Sequence, residues 1–451
     1  MNATKKKMNI GNLMLIVLAC ALVVGIGMMF LKSALVNGGH ENIWNGISWL
    51  LFDDISTANG NSSIGLFYIV QTLFVNGLQL AIVPLVLTAI SLGLCAISDT
   101  AKFGRVALKT VLGFLFFYVF GCLFAIIASV ISINTGWFNV DMSALVGGEV
   151  GTVTEYVVSN PLNIILKFVP SNIVSTWTVN NQILAVVFVA VVLGICMNLL
   201  GDKVADFKKV VEQLSDIVNM YLDFLVNKCG PICIFCMVVR TLALYGWEQI
   251  SSLLHYMMVA AIVLLFYWIV CYPLMIAITC KVKPLPFLKK SFKAGLFAFS
   301  VNSSGATMPL SRKVCIEELG CDEAITDFVI PTGATVNMNG TAIEHVIAVA
   351  FMATVCGLDV SLMAYITIML LAIGSAAGTP TVPNAGTVMI YATLTGAGFG
   401  TELSLMIYML LLSLNKPIDM LVTALNVVGD CATSTLVSNS EGQLNKELYH
   451  S

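Results

Sequence analysis

Six apolar runs in this chain are each long enough to cross a lipid bilayer as a helix. They lie near residues 12–32, 66–97, 106–134, 182–200, 216–246 and 252–280. A membrane-spanning helix needs about 20 apolar residues, and in the hydrocarbon core only helices and closed barrels satisfy their own backbone groups. Of the 451 residues, 58% are apolar and 10% are charged, whereas soluble domains have about 45–50% and about 25%. The sequence therefore predicts an all-α polytopic membrane protein and excludes a soluble enzyme or a nucleic-acid binder.

The linkers between the runs alternate between basic and acidic or neutral. The basic linkers contain the following residues: Lys102, Arg105 and Lys109; Lys203, Lys208 and Lys209; Lys281, Lys283, Lys289, Lys290 and Lys293. Because basic linkers stay on the cytoplasmic side of a membrane, they agree with a cytoplasmic N-terminus at Lys5–Lys7. We expect a multi-pass protein of the plasma membrane with both termini in the cytoplasm.

The last third of the chain contains short apolar segments that polar stretches interrupt. Residues 300–309 and 374–386 are rich in Ser, Thr, Gly, Asn and Pro, and the apolar segments beside them, of about 10–14 residues, are too short to span a bilayer. We interpret the two stretches as tips of re-entrant helical hairpins, since non-helical backbone at membrane depth must lie against protein or a watery cavity. The alternative is two ordinary loops outside the membrane.

A third polar stretch, residues 331–345, lies between the two predicted hairpins. Asn337, Asn339 and Thr341 recur at every second position with Gly340 among them, and a regular helix would scatter them over different faces. We interpret this stretch as a helix that is unwound within the membrane, so that its free carbonyl oxygens suit an alkali cation. The alternative is a glycine kink whose Asn side chains satisfy the kinked backbone.

The final apolar span contains two carboxylates on one helical stripe. Asp419, Thr423, Asn426 and Asp430 are spaced at i, i+4, i+7 and i+11. Each carboxylate in a membrane helix costs roughly 2.5–3.5 kcal/mol, so partners are required. Lys416 is expected to extend to the membrane surface, which leaves external cations: a substrate ammonium, a metal ion or a proton. The alternative is a structural pairing with helix N-termini or a distant Arg.

These polar motifs together resemble those of the dicarboxylate/amino acid:cation symporters, which include glutamate, aspartate and neutral amino acid transporters. The resemblance extends from about residue 10 to 440 and rests on four motifs: Ser303-Ser304, residues 337–341, residues 382–386 and residues 426–430. It implies eight transmembrane helices plus two re-entrant hairpins in an elevator-type protomer of a homotrimer. Residues 1–280 would form mainly the scaffold, with the third and sixth spans joining the transport part. Residues 281–440 would form the core of the transport domain and residues 441–451 a cytoplasmic tail.

The resemblance also implies which residues bind substrate and sodium. The substrate-binding positions would be Ser303, Ser304, Thr341, Val382, Gly386, Asp419, Val422, Thr423 and Asn426. One sodium site would use Gly333, Asn337, Asn426 and Asp430, and a second would use Thr335, Met338 and Thr379.

Two departures from the family bear on the substrate. Transporters of acidic substrates place an arginine in the last helix or at the first hairpin tip, where this chain has Val422 and Asn302. A buried substrate carboxylate without a guanidinium partner would be very costly. Asp419, which in the family meets the ammonium of amino acids, is retained. We therefore expect a neutral amino acid such as serine, alanine, threonine or cysteine.

Other departures bear on the coupling ions. The usual aspartate of the unwound segment is Asn339, and three third-helix positions that supply oxygens to one family sodium site match Phe114, Phe117 and Tyr118. We expect that sodium site to be absent. Glu344 and His345 form a possible proton site, because His345 matches a glutamate of proton-coupled relatives and histidine titrates near neutral pH. The alternative is that His345 is a neutral packing residue.

The prediction is therefore a secondary active symporter with sodium as the coupling ion. Its partners are a small amino acid, the lipid bilayer and two further copies of the chain, and not nucleic acid. Three alternatives stay open: proton coupling, an acidic amino acid or dicarboxylate substrate, and obligate exchange. The four histidines have no metal-ligand spacing, and no serine has an evident base beside it, so an enzyme is not expected.

Overall fold

The structure is a computed structural model and describes residues 10–56, 62–95, 100–138, 169–178, 183–377, 379 and 385–451. All regular elements in these residues are helical, which confirms the predicted all-α class. The first ten α-helices are α1 (Ile10–Asn37), α2 (Glu41–Leu51), α3 (Leu66–Cys95), α4 (Thr100–Asn134), α5 (Ile173–Trp177), α6 (Ile183–Leu200), α7 (Ala205–Phe224), α8 (Gly230–Tyr245), α9 (Trp247–Phe266) and α10 (Tyr272–Cys280).

Seven helical stretches of the described residues are long and apolar enough to cross a membrane. One of them, Ala185–Leu244, contains two successive helical segments, which are called rods below; the first rod is α6. The first rod ends at Gly201, whose φ of 53° is left-handed and so interrupts a right-handed helix. The second rod is α7 and α8, joined by a π-helical turn at Leu225–Cys229. This arrangement agrees with the polytopic membrane fold predicted from the apolar runs and with the eight transmembrane helices that the family resemblance implies.

The remaining nine α-helices form the polar last third of the chain. They are α11 (Pro284–Val301), α12 (Ser304–Lys313), α13 (Glu323–Val336), α14 (Asn339–Val355), α15 (Leu362–Ala377), α16 (Ala385–Gly396), α17 (Glu402–Leu414), α18 (Lys416–Ser440) and α19 (Lys446–His450).

Two pairs of these helices fold back on themselves as hairpins. Helices α11 and α12 are the arms of hairpin 1, and α15 and α16 are the arms of hairpin 2. Hairpin 1 reverses direction at Asn302, which has a left-handed φ of 51°. Asparagine is one of the few residues other than glycine that visits this region, so the residue type suits the tight turn.

The polar helices lie in the interior, and the apolar first helix lies outside. In an apolar window of 18 residues within Glu323–Val355, 94% of the residues are buried, and in the corresponding window within Lys416–Ser440 89% are buried, against 11% within Ile16–Asn37. Helix α18 packs against α4, α11, α13 and α14. Because Asp and Asn in a membrane helix must face protein rather than lipid, this packing places the polar stripe of α18 where it is tolerated.

The segment after α18 packs against the base of hairpin 1. The backbone N–H of Asn445 donates to the Gly320 carbonyl at 2.8 Å. Tyr449 is fully buried, and its hydroxyl donates to the Lys283 carbonyl at 3.0 Å. Residues 445–451 are therefore fixed to the elements that form the site.

Candidate binding site for substrate and cations

Hairpin 1 brings the N-terminus of α12 to the interior. Ser303 caps this helix with extended backbone, and its hydroxyl accepts a hydrogen bond from the Ala306 N–H at 3.3 Å. The hydroxyl of Ser304 donates to the Ala334 carbonyl of α13 at 3.1 Å. A helix N-terminus offers unpaired backbone N–H groups that favour an anion, such as a carboxylate.

The chain between α13 and α14 is not helical at Asn337 and Met338. Tyr118 of α4 bridges this break, because its hydroxyl donates to the Val336 carbonyl at 2.8 Å and accepts from the Met338 N–H at 2.7 Å. The break is shorter than the predicted unwound segment, since Asn339 and Gly340 already belong to α14. The Gly340 N–H, the second of α14 and without a helical acceptor, donates to Asn426 Oδ1 at 2.7 Å.

Helix α18 presents its polar stripe to hairpin 1 and to the break. The Thr423 hydroxyl donates to Asn302 Oδ1 at 2.7 Å. The side-chain amide of Asn426 donates to Thr341 Oγ1 at 3.3 Å. The stripe predicted from the spacing thus connects hairpin 1, α14 and α18 through side-chain hydrogen bonds.

A small cavity lies where these elements meet, with a volume of about 20 Å³. Its described lining residues are Asn302, Ser303, Ser304, Met338, Thr341, Thr379, Gly386, Asp419, Val422, Thr423 and Asn426. Eight of the nine predicted substrate positions line it, and the ninth, Val382, lies outside the described residues. This volume accommodates about one water molecule, so an amino acid enters only if the lining moves apart.

Asp419 is paired within the chain, contrary to the expectation for Lys416. The Lys416 ammonium lies 3.4 Å from Asp419 Oδ2, with side chains only 10% and 5% exposed. The side-chain amide of Asn302 donates to the same oxygen. The prediction that Lys416 extends to the membrane surface is therefore wrong: the buried carboxylate retains the ammonium because an unpaired charge at this depth is costly.

Asp430 lies deeper, beside the break. Asn337 donates its side-chain amide to Asp430 Oδ1 at 2.8 Å, and a Cβ atom on Gly333 would overlap the same carboxylate oxygen. The amide oxygen of Asn337 is buried and accepts no hydrogen bond from the described residues. An anionic carboxylate next to an unpartnered amide oxygen is a hard-oxygen donor set that fits a sodium ion.

The other predicted cation ligands line two different cavities. Met338 and Thr379 line the cavity, whereas Thr335 lines a separate cavity of about 350 Å³ between α3, α7 and α13. Asn339, which replaces the family aspartate, donates its amide to the Tyr272 hydroxyl at 2.9 Å. Tyr118 retains an oxygen, but that oxygen is used by the backbone of the break.

Glu344 and His345 are both fully buried, in different surroundings. The Asn415 amide donates to Glu344 Oε1, while Oε2 accepts no hydrogen bond from the described residues. His345 Nε2 lies 2.9 Å from the Gly386 carbonyl, and Nδ1 lies 2.9 Å from the Thr393 hydroxyl. Since a carbonyl only accepts, Nε2 carries a proton, while Nδ1 faces hydroxyl groups that can donate or accept. Both ring nitrogens have partners, which agrees with the packing alternative for His345.

Three residues of the site were not assigned by the sequence: Asn302 as a cavity residue, Asn415 and Lys416. In the sequence, Asn302 stands out only as a position without arginine. Lys416 stands at i−3 from Asp419, which is a spacing that brings helical side chains together. This spacing is the signal in the sequence for a pair of Lys416 with Asp419, but the preference of lysine for the membrane surface favours the opposite prediction.

Known proteins with a similar sequence are membrane transporters. A family model described as the sodium:dicarboxylate symporter family matches residues 10–440. A proton/sodium-glutamate symport protein of Geobacillus stearothermophilus is 24% identical over 384 residues, which are 83% of this chain and 88% of the relative. C4-dicarboxylate transport protein 1 of Pseudomonas aeruginosa is 26% identical over 383 residues, 82% of each chain. An excitatory amino acid transporter of Caenorhabditis elegans is 30% identical over 264 residues, 58% of this chain and 51% of the relative.

Proposed function

Because the chain belongs to the sodium:dicarboxylate symporter family, we propose that it takes up a neutral amino acid together with sodium ions. Family membership confirms the resemblance found in the motifs, and with it a membrane symporter rather than an enzyme. The relatives named above are transporters of glutamate and of C4-dicarboxylates. The choice of a neutral substrate depends on one observation in this chain, the charge balance of the cavity.

The cavity lining has one carboxylate, Asp419, and neither lysine nor arginine among its described residues. Lys416, which contacts Asp419, is balanced by that carboxylate, and the side chains at Asn302 and Val422 are uncharged. A substrate with a second carboxylate would therefore bury that group without an unpaired cation, which is strongly unfavourable. A zwitterion can place its ammonium beside Asp419 and its carboxylate at the N-terminus of α12.

The lining also supports a small side chain. Gly386 and Val422 bound the cavity, and Gly386 lies close to Thr341, because a Cβ at Gly386 would be 3.2 Å from Thr341 Cγ2. A substrate of the size of serine, alanine, threonine or cysteine fits these boundaries best, with Thr341, Thr423 and Asn426 as hydrogen-bonding partners for a polar side chain.

Sodium is proposed to bind at Asp430, with Asn337, Gly333 and Asn426 as further oxygen donors. A cation there neutralises a carboxylate that is 2% exposed and orders the non-helical backbone of Asn337. Thr335, Met338 and Thr379 are proposed for the second sodium ion. One sodium ion entering with a zwitterion moves net positive charge, and each charge gains about 2.3 kcal/mol per 100 mV of membrane potential, so transport is electrogenic.

The larger-scale parts of the proposal come from the family. The hairpins, α13, α14 and α18, with the third and sixth spans, form a transport domain that moves as an elevator against a scaffold within residues 1–280. The protein forms a homotrimer in the plasma membrane, with both termini in the cytoplasm. The packing of α18 against α4 supports the assignment of the third span to the transport domain.

Proton coupling at Glu344 is the second candidate, because Oε2 of this buried carboxylate accepts no hydrogen bond from the described residues. The titratable and charged groups that face or adjoin it are Tyr256, His345, Tyr408, Lys416 and Asp419. A proton on Glu344 would remove its repulsion with Asp419 when the substrate is absent. His345 is not the preferred proton carrier, since both ring nitrogens already have partners.

Tracer uptake into proteoliposomes tests these alternatives. We expect an inward sodium gradient to drive accumulation of serine or alanine well above that of aspartate or succinate, with no accumulation in choline. Asp419→Asn should abolish uptake, while Asp322→Asn, which changes the N-cap of α13, should fold and retain it. Preference for aspartate or succinate would overturn the neutral assignment. Accumulation driven by a pH gradient alone and lost in Glu344→Gln would indicate proton coupling, and exchange without net uptake would indicate an exchanger.

A further inference from the structure

We propose that, in the substrate-free protein, the ammonium of Lys416 occupies the place beside Asp419 that the substrate ammonium takes during transport. This inference rests on the proposed function, because it concerns the same carboxylate. In this proposal, the Lys416 ammonium pairs with Asp419 when the substrate ammonium is absent. Amino acid binding then replaces one ammonium by another.

The pairing geometry supports this role. Asp419 Oδ2 lies 3.4 Å from the Lys416 ammonium and also accepts the amide of Asn302. Asp419 lines the cavity and Lys416 does not, so the ammonium reaches the carboxylate from the beginning of α18. An amino acid in the cavity therefore meets a carboxylate that already holds an ammonium, and its own ammonium must replace that partner.

Helix formation does not explain a lysine at this position. Lys416 is the first residue of α18, and a positive charge at a helix N-terminus opposes the helix dipole. An ion pair in which the cation precedes the anion along the helix is also the less favourable orientation. Lys416 stands here despite both effects, and its ion pair with the buried Asp419 is a favourable interaction that offsets them.

The need to balance the charge of Asp419 in the empty carrier explains why a lysine lies beside it. A symporter that achieves net uptake must return its binding site across the membrane without substrate. Asp419 is only 4% exposed, and a buried carboxylate whose partner has been removed is destabilising by several kcal/mol. When the substrate ammonium leaves, Lys416 restores a partner, so the empty site returns without an uncompensated charge.

The same pairing weakens substrate binding. The cavity of about 20 Å³ must widen to admit an amino acid, and the incoming ammonium must displace Lys416 from Asp419 to a position outside the cavity, where it does not pair with a substrate carboxylate. Removing the lysine charge should therefore strengthen amino acid binding while it slows the empty return. A residue with only a structural role would not change these two quantities in opposite directions.

The experiment compares Lys416→Met and Lys416→Gln with the wild type. We expect amino acid binding, measured by ligand-induced thermal shift in sodium, to tighten by about tenfold, a size typical of coupling free energies in proteins. Net uptake into empty proteoliposomes should fall several-fold, while exchange against internal amino acid should not fall, because exchange never uses the empty return. The glutamine variant retains a hydrogen-bond donor for Asp419 and serves if the methionine variant does not fold.

Two controls separate the effect of charge from other effects. Lys416→Arg keeps the cation and should retain the wild-type ratio of net uptake to exchange. Lys446→Met also changes the first residue of a helix, but the Lys446 ammonium donates to the Cys280 carbonyl, and both quantities should stay unchanged. Weaker binding in the neutral variants, or equal loss of net uptake and exchange, overturns the inference. If the wild-type protein binds no neutral amino acid, the proposed function fails first, and that outcome is visible before any variant is compared.

Discussion

The hydroxyl of Tyr118 accepts a hydrogen bond from the backbone N–H of Met338 at 2.7 Å, at the only break within the long buried segment Glu323–Val355 of the described residues. The same hydroxyl donates to the Val336 carbonyl at 2.8 Å. One side chain of α4 therefore satisfies backbone groups on both sides of the break, which would otherwise be unpaired at membrane depth. The shape of the proposed sodium site depends on this contact.

Tyr118→Phe removes both hydrogen bonds and should weaken sodium binding. Each lost bond costs about 1 kcal/mol or more when it leaves a buried backbone group unpaired, so we expect the sodium concentration for half-maximal amino acid binding to rise by about tenfold or more. Sodium titration of the thermal shift measures this. Tyr267→Phe is a matched control, since its buried hydroxyl donates to the Phe117 carbonyl and does not touch the break. An equal effect of both variants would contradict the assignment.

Gly333→Ala should abolish sodium-dependent binding. A Cβ at this position would overlap Asp430 Oδ1 and displace the carboxylate that is proposed to bind sodium. Gly27→Ala is the control, because no atom lies within 4 Å of a Cβ built at Gly27 inside α1, and alanine favours a helix by about 1 kcal/mol over glycine. We expect Gly27→Ala to melt at the same or a higher temperature and to retain its response to sodium. Normal sodium dependence in folded Gly333→Ala would remove Asp430 from the site.

Val422→Arg should convert the substrate preference toward acidic amino acids. The side chain of Val422 is 2% exposed and lines the cavity, and a guanidinium there can pair with a second substrate carboxylate. Competition of unlabelled aspartate and serine with labelled serine measures the change. Val422→Met is the control, because it lengthens the side chain without adding charge, and it should lose serine binding without gaining aspartate binding. If both variants gain aspartate binding equally, the charge at this position does not determine the substrate preference.

Lys109, near the beginning of α4, pairs with Glu441, the residue that follows α18. The Lys109 ammonium lies 2.5 Å from Glu441 Oε1, and its hydrogen bond holds the pKa of Glu441 below its ordinary value. A carboxylate with a lowered pKa in the folded state stabilises the fold above its ordinary pKa, and this contribution is lost as the pH falls through the lowered value.

We therefore expect Lys109→Met to melt at a lower temperature than wild type at neutral pH, with the difference disappearing as the pH falls well below about 4.3. Melting curves in detergent between neutral and acidic pH measure it. Lys208→Met removes an exposed pair at 4.0 Å and should show little difference at either pH. A difference for Lys109→Met that persists at low pH would indicate a contribution other than the ion pair.

Much of the fold was predictable because a bilayer restricts which backbone structures can cross it and how long they must be. Apolar length located the crossings, and the interrupted stretch at residues 300–309 contains Asn302, where hairpin 1 reverses direction. The middle of the second stretch, residues 380–384, lies outside the described residues. The stripe from Asp419 to Asp430 was also predictable, since the helical period alone places its four polar residues on one face.

Contacts between distant elements were not predictable from the sequence. The hydrogen bond between Met338 and Tyr118 joins residues 220 positions apart, and no local pattern in α4 indicates it. The sequence favours a position at the membrane surface for Lys416, because it does not show that the side chain of Asp419 is only 5% exposed. Burial decides between a solvated lysine and a paired one, and burial is a property of the assembled helices.

The beginning of α18 offers a means of retuning this carrier. Asn415 contacts Glu344 and Lys416 contacts Asp419, although neither Asn415 nor Lys416 lines the cavity. A protein engineer could thus change the partners of both acidic groups by changing two adjacent codons, leaving every described residue that lines the cavity unchanged. Libraries at these two positions would be a direct starting point for amino acid biosensors of graded affinity.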